Sequence, residues 1–422
     1  MPGQPTNSIR RVLIASLIGT TIEFFDFYIY ATAAVLVFPK LFFPSANPTS
    51  ATLQSLATFA LAFFARPLGA AIFGHFGDRN GRKATLVAAL MTMGPSTVAI
   101  GLLPGYASIG IAAPLLLALF RFGQGLGLGG EWGGAVLLAT ENAPEGKKAW
   151  YGMFPQLGAP IGFLFSSGTF YLLNKIFTED QFFSFGWRIP FIASALLVFV
   201  GLYVRLKITE TPDFVKVIEK NERVNLPVAD VLKKHYPQII SGTVATITTF
   251  LLFYLMTVFT LSWATGALHY NKQSFLGAQM LSMVFFAAGI PLSSLLADKF
   301  GRGQILAAAS ALILLFGLSF GPFFSTGSLT ITTLCLIVGM FLMGLTYGPI
   351  GTALAGIFPP EVRYTGASLC FTLAGILGAS LTPAIATALA SSYGLNYVGY
   401  YLAVAAALSL VAFFILIKRM AD

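Results

Sequence analysis

Charge is what this sequence has least of. Only 10% of its 422 residues are Asp, Glu, Lys or Arg, where a soluble domain carries about 25%. Histidine is scarce too: His75, His235 and His269 are scattered and make no metal-ligand spacing. The two cysteines, Cys335 and Cys370, fall inside apolar runs and read as small apolar residues rather than a disulfide or metal pair. No GxxxxGKS/T phosphate loop occurs, so ATP-driven work by this chain is not expected. A GxSxG nucleophile elbow is missing as well. No enzyme, metal site or cofactor is expected. The opening MPGQPTNSIRR lacks the short apolar core and small-residue exit of a cleavable leader, so the first apolar run is expected to be retained.

Apolar residues fill the space that charge leaves. The chain is 56% hydrophobic with a mean hydropathy of +0.80. Runs long enough to cross a bilayer, about 20 residues, recur at 10–38, 52–77, 83–103, 108–138, 148–176, 187–207, 237–266, 273–298, 303–323, 328–357, 363–390 and 396–419. The expected class is an all-α membrane protein with twelve transmembrane helices, seated in a lipid bilayer.

The net charge of +9 would suit nucleic acid if it formed one patch, but it alternates with the runs. Nineteen of the 25 basic residues fall on one side, among them Arg10, Arg11, Arg82, Lys147, Arg205, Lys233, Arg363 and Arg419. Lys40, Lys175, Arg188 and Lys272 fall on the other, and Arg66 and Arg121 lie inside helices. By the positive-inside rule both termini are expected in the cytoplasm, across a plasma (bacterial inner) membrane. No nucleic-acid partner is expected.

The longest polar stretch, 208–236, divides the helices six and six. The expected units are a bundle over 1–207, a cytoplasmic linker over 208–236 and a second bundle over 237–422. Within the linker, Pro212 and Pro227 bracket a mixed-charge segment, Asp213 to Asn225, able to form a surface helix. The halves echo each other. GHFGDRNGRK (Gly74 to Lys83) and SLLADKFGRG (Ser294 to Gly303) both read Asp-basic-x-Gly-Arg, with Asp78 and Asp298 220 positions apart. APEGKKAWYG and PPEVRYTG stand at the next matching loops. Such matched loops point to duplicated six-helix halves in parallel orientation, an arrangement of secondary transporters.

GHFGDRNGRK resembles the helix 2–3 loop signature of the major facilitator superfamily, and RFGQGLGLGGE (Arg121 to Glu131) resembles its helix 4 signature. Together with EFFDFYIY, FFARPLG and EVRYTGAS, they make the chain similar to the metabolite:proton symporter branch. That branch includes bacterial carriers for shikimate, α-ketoglutarate, citrate, and proline or betaine. The resemblance implies two pseudo-symmetric six-helix bundles that rock around a midplane site.

Five ionisable residues are expected within the bilayer: Glu23, Asp26, Arg66, Arg121 and Glu131. Such residues are costly, face a cavity or the protein interior, and commonly mark ion or substrate pathways. The alternative is a set of ion pairs that lock helices 1, 2 and 4. Glu23 and Asp26, spaced i, i+3, project from one face of helix 1. Two carboxylates in low dielectric cannot easily both ionise, so this pair and Glu131 are the candidate proton carriers. Three acids facing two arginines leave one carboxylate over to hold a proton.

Arg121 sits among Gly123, Gly125, Gly127, Gly129 and Gly130, which let backbones approach and help open cavities. A guanidinium there suits a substrate carboxylate, or else it only neutralises an acid. Arg66 precedes Pro67, a kink site, with pairing and substrate contact equally open. Tyr28, Tyr30, Gln124, Gln156, Tyr254 and Tyr347 are candidate polar contacts, with plain packing as the alternative. Asp78, flanked by Arg79 and Arg82, lies too near the surface to be a transport site. Such a carboxylate can accept from a helix N-terminus and pair with a neighbouring loop. The resemblance implies a conformational latch there, and repeat symmetry extends it to Asp298 and Arg302.

The expected function is a monomeric secondary-active carrier that couples inward proton movement to uptake of a small organic metabolite, a carboxylate by the arginines. A polyol or a zwitterionic osmolyte fits if those arginines are neutralised internally. Gly158-Ala159-Pro160-Ile161-Gly162 resembles an antiporter helix 5 signature, which keeps a proton-coupled exporter as the rival of the same fold. A channel or a sensor without turnover is the rival of another class.

Overall fold

A computed structural model describes residues 9–44, 48–207, 211, 215 and 227–420. Twelve long helices coincide with the twelve apolar runs. They are α1 (Ile9–Leu36), α2 (Pro48–Asn80), α3 (Arg82–Leu102), α4 (Ala112–Glu141), α5 (Lys148–Ile176) and α6 (Ile189–Leu206), then α7 (Tyr236–Gly266), α8 (Lys272–Phe300), α9 (Arg302–Phe324), α10 (Leu329–Gly356), α11 (Arg363–Tyr393) and α12 (Leu395–Met420). Among the described residues there is no strand. Eleven of these helices are long and apolar enough to cross a membrane by composition alone. The twelfth, α5, has the length, but Gln156, Pro155, Pro160 and several glycines dilute its hydropathy. The surface helix expected over Asp213–Asn225 lies outside the described residues apart from Val215.

The Asp-basic-x-Gly-Arg loops are helix breaks. Gly81 has φ 114° and Gly301 φ 96°, values open to glycine at little cost. Each ends one helix, and the arginine that follows opens the next. The repeat therefore encodes the same turn in both halves.

Packing repeats too. Helices α1 with α5, α2 with α4 and α3 with α6 are matched by α7 with α11, α8 with α10 and α9 with α12. The halves meet along α2 with α11 and α5 with α8. This is a twelve-helix fold of two pseudo-symmetric six-helix bundles. The glycines of α4 set its closest contacts: a Cβ at Gly125 would stand 2.6 Å from the Ala62 carbonyl oxygen, and one at Gly127 2.7 Å from that of Ala89. They are used for contact with α2 and α3 rather than for opening a cavity beside α4. In α5, Gly158 and Gly162 lie as tightly on the α1 backbone.

Among the described residues, the second half has a feature the first lacks. A single π turn interrupts α7 at Leu255–Phe259 and α11 at Ile376–Ser380, and such turns disrupt the ordinary carbonyl pairing of a helix. Gln279 of α8 answers for α7, donating to the Met256 oxygen at 3.0 Å and the Thr257 oxygen at 2.7 Å.

Replacing Gly125 by Val should cost about 1–3 kcal/mol by overpacking, seen as a lower unfolding midpoint of the purified protein. Gly168→Val, where an added Cβ meets nothing within 4 Å, should leave the midpoint near that of the wild type.

Candidate transport cavity

A small cavity of about 40 Å³ lies between the halves. The first half contributes Glu23, Phe24 and Tyr28 from α1, Arg66 from α2, Leu128 and Trp132 from α4, and Ala159 from α5. The second half contributes Phe250, Phe253 and Tyr254 from α7, Phe286 from α8, Met343 and Tyr347 from α10, and Phe371 and Thr372 from α11. Glu23 and Arg66 are the charged side chains among these.

Glu23 and Asp26 do not share the cavity. Residues three apart on a helix point about 60° away from each other, and that angle separates their surroundings. Glu23 is 2% exposed, faces the cavity, and its Oε2 has no hydrogen-bond partner. Asp26 points back into the first bundle, where its Oδ2 accepts from Ser194 of α6 at 2.8 Å. It borders a separate narrow gap shared with Arg121 and Gln124.

The two arginines part in the same way. Phe27 lies against both, with the Arg66 guanidinium 4.4 Å from its ring centre and that of Arg121 4.6 Å. Arg66 also meets the Phe63 ring at 4.7 Å. Arg121 is caged further by Tyr30 at 4.0 Å and Phe59 at 4.9 Å and donates to Gln124 at 2.9 Å. Neither makes an ion pair among the described residues. Tyr30 bonds to Thr58 at 2.7 Å and Gln124 donates to Thr97 at 2.7 Å. Arg121, Tyr30 and Gln124 thus belong to the bundle interior, while Arg66, Tyr28, Tyr254 and Tyr347 border the cavity.

One residue alters the charge count. Arg205, expected on the cytoplasmic rim, is 4% exposed, and its guanidinium pairs directly with Glu131. It also donates to the Leu86 oxygen at 2.9 Å and crowds Gly19 of α1. Three buried acids therefore face three arginines, and no carboxylate is left over by arithmetic. Arg205 is near the end of an apolar helix, and residue order alone does not say that α1 is thin enough at Gly19 to admit it.

Between the cavity and the end that carries most of the basic residues, the halves are closed in layers. Trp132 of α4 stacks on Phe371 of α11 with ring centres 3.5 Å apart and 6° between planes. The Trp132 indole donates to Gln156 at 2.9 Å, and Gln156 donates to the Tyr347 oxygen at 2.8 Å, joining α4, α5 and α10. Below this, Tyr364 of α11 fills a notch beside Gly77, Gly133 and Gly134 and donates to the Gly130 oxygen.

The outermost layer is reciprocal. Asp78 accepts from the backbone N–H of Tyr364 at 3.2 Å and of Thr365 at 3.0 Å, and from the Thr365 hydroxyl at 2.8 Å. Asp298 accepts from the N–H of Ala149 and of Trp150, each at 2.8 Å. Each aspartate caps the first turn of a helix in the opposite half, where carboxylate and helix dipole attract. Arg82 holds Asp78 at 3.1 Å and reaches Glu141 at 3.4 Å, which also meets Arg363 of the other half at 3.5 Å. Arg302 instead donates to the Thr352 oxygen within its own half, at 3.0 Å, and Arg79 is exposed. Sequence reasoning passed over Glu141, Trp132 and Tyr364. Only the PPEVRYTG repeat hinted at Tyr364.

The Major Facilitator Superfamily model matches residues 16–379. The chain belongs to that superfamily. It is therefore a multi-pass membrane transporter of small molecules and not an enzyme. This major facilitator chain is 57% identical over 413 residues to the inner membrane metabolite transport protein YhjE of Escherichia coli strain K12, covering 97% of this chain and 94% of that one. It is 34% identical over 394 residues to the shikimate transporter of the same strain, covering 92% and 89%. Among solved structures, the proton:xylose symporter XylE bound to 6-bromo-6-deoxy-D-glucose superposes with a TM-score of 0.75 at 16% identity, over 97% of this chain and 95% of that one. The last likeness concerns fold alone.

Breaking the Glu131–Arg205 pair from one side strands a buried charge, at a cost of about 3–5 kcal/mol. Arg205→Met should therefore lower the unfolding midpoint sharply. The double variant Glu131→Gln with Arg205→Met should recover most of the loss, a coupling read from a double-mutant cycle.

Proposed function

We propose that this transporter takes up a small organic carboxylate together with a proton, with the substrate carboxylate on Arg66 and the proton on Glu23. The observation that carries the reading is that these two are the charged side chains of the cavity, and that Oε2 of Glu23 has no partner there. When Glu23 is ionised and the cavity empty, Arg66 balances it. When a carboxylate binds Arg66, two negative charges meet one positive in low dielectric, and protonating Glu23 restores balance. Empty and loaded carriers are then both neutral across the cavity, and the half-loaded forms are not. That asymmetry couples the two fluxes.

In this reading Asp26, Arg121, Glu131 and Arg205 keep the first bundle rigid behind the moving site. The basic end faces the cytoplasm, in line with the positive-inside rule, and the protein works as a monomer in the inner membrane. Asp78 and Asp298 latch the cytoplasmic side, and inward opening breaks their bonds to α11 and α5.

In proteoliposomes, Glu23→Gln should abolish accumulation driven by an inward proton gradient while keeping substrate exchange; accumulation at the wild-type level would sink the proton role. Wild-type uptake of a monocarboxylate should follow the pH gradient and ignore an imposed potassium-diffusion potential, since proton and monoanion carry no net charge together. Replacing Asp78 by Asn puts an amide nitrogen, which cannot accept, opposite donors that one carboxylate oxygen serves, a loss of about 1 kcal/mol or more. Labelling of a cysteine placed at Ser368, in a background without Cys335 and Cys370, should rise about fivefold from the cytoplasmic side.

A further inference from the structure

We infer that the substrate is a monocarboxylate with an uncharged, hydroxyl-bearing body, and that the second half of the cavity discriminates against a second carboxylate. This rests on the reading in which Arg66 takes the acid group. The cavity offers a single cation. Arg121 is shut behind Phe27, Tyr30 and Phe59 and borders the gap with Asp26 instead. Every cavity residue from α7, α8, α10 and α11 is uncharged. A second carboxylate directed at that wall would be buried without a counter-charge, which costs far more than burying a hydroxyl.

The wall is not featureless. The hydroxyls of Tyr28, Tyr254 and Tyr347 border the cavity and make no hydrogen bond within the described protein, while comparable buried tyrosines elsewhere do: Tyr30 to Thr58, Tyr364 to Gly130. The three cavity phenol oxygens are not sealed away as that of Ser166 is; they open onto the cavity, where substrate hydroxyls can bond them in place of water. Phe253 and Phe286 supply ring faces for the apolar surface between those hydroxyls. The ring faces would attract a quaternary ammonium, but such a zwitterion carries no group that bonds the three phenols, where a hydroxyl-bearing body does.

The test is thermal unfolding of the purified full-length protein against four matched probes: 3,5-dihydroxybenzoate, 5-hydroxyisophthalate, 3,5-dihydroxybenzamide and glycine betaine. Ligands that bind only the folded state raise the midpoint in proportion to affinity. The monoacid should bind at least about tenfold more tightly than the diacid, the amide or the betaine. Thr372→Lys, or Met343→Lys should that variant not fold, should bring the diacid to within about threefold of the monoacid. A wild type that takes the diacid or the betaine as tightly as the monoacid, or none of the four, overturns the inference. If the diacid wins while Glu23→Gln still separates accumulation from exchange, the proton-coupled reading survives and this one falls. If Arg66→Gln leaves acid binding intact, the carboxylate assignment beneath both falls.

Discussion

Placing charge in a medium that cannot solvate it is the constraint from which most of this structure follows. Six ionisable side chains lie in the membrane-embedded first bundle, and each has found a different answer to the same cost. Glu131 and Arg205 answer each other directly. Asp26 takes a hydroxyl from Ser194, and Arg121 takes Gln124 and three ring faces. Glu23 and Arg66 have the least within the protein and face the cavity between the halves. Charge left incompletely satisfied at a cavity is where a ligand and a proton would have most to contribute, and the proposed site lies there.

The two halves share the work unequally. The first holds the buried charge and is stiffened by glycine contacts between α4 and its neighbours. The second supplies an uncharged aromatic wall and two helices interrupted by π turns.

The closure at the basic end is built from bonds that cross between the halves. Asp78 and Asp298 accept backbone N–H groups at helix starts across the interface, so parting the halves would take several bonds from each carboxylate at once. The stack of Trp132 on Phe371 adds an apolar layer above them. Duplication explains the reciprocity: one loop sequence, used twice, meets the matching helix of the other half.

Much of this was legible in residue order. Twelve helices follow from apolar runs of membrane-spanning length, since in lipid the backbone must bond within its own segment. The duplicated loops follow from Asp78, Gly81, Asp298 and Gly301, and the expense of Glu23, Asp26, Arg66, Arg121 and Glu131 follows from the runs they interrupt. Which of those charges meet was decided only by tertiary structure. A helical face is wide enough for Glu23 and Asp26 to share by spacing yet be parted by what packs against them. Arg205 reads as a rim residue until Gly19 of α1 makes room for it beside Glu131. Local sequence sets where a helix runs and what it costs to bury a side chain; the partner that offsets that cost comes from another helix, through close packing that a single segment does not encode.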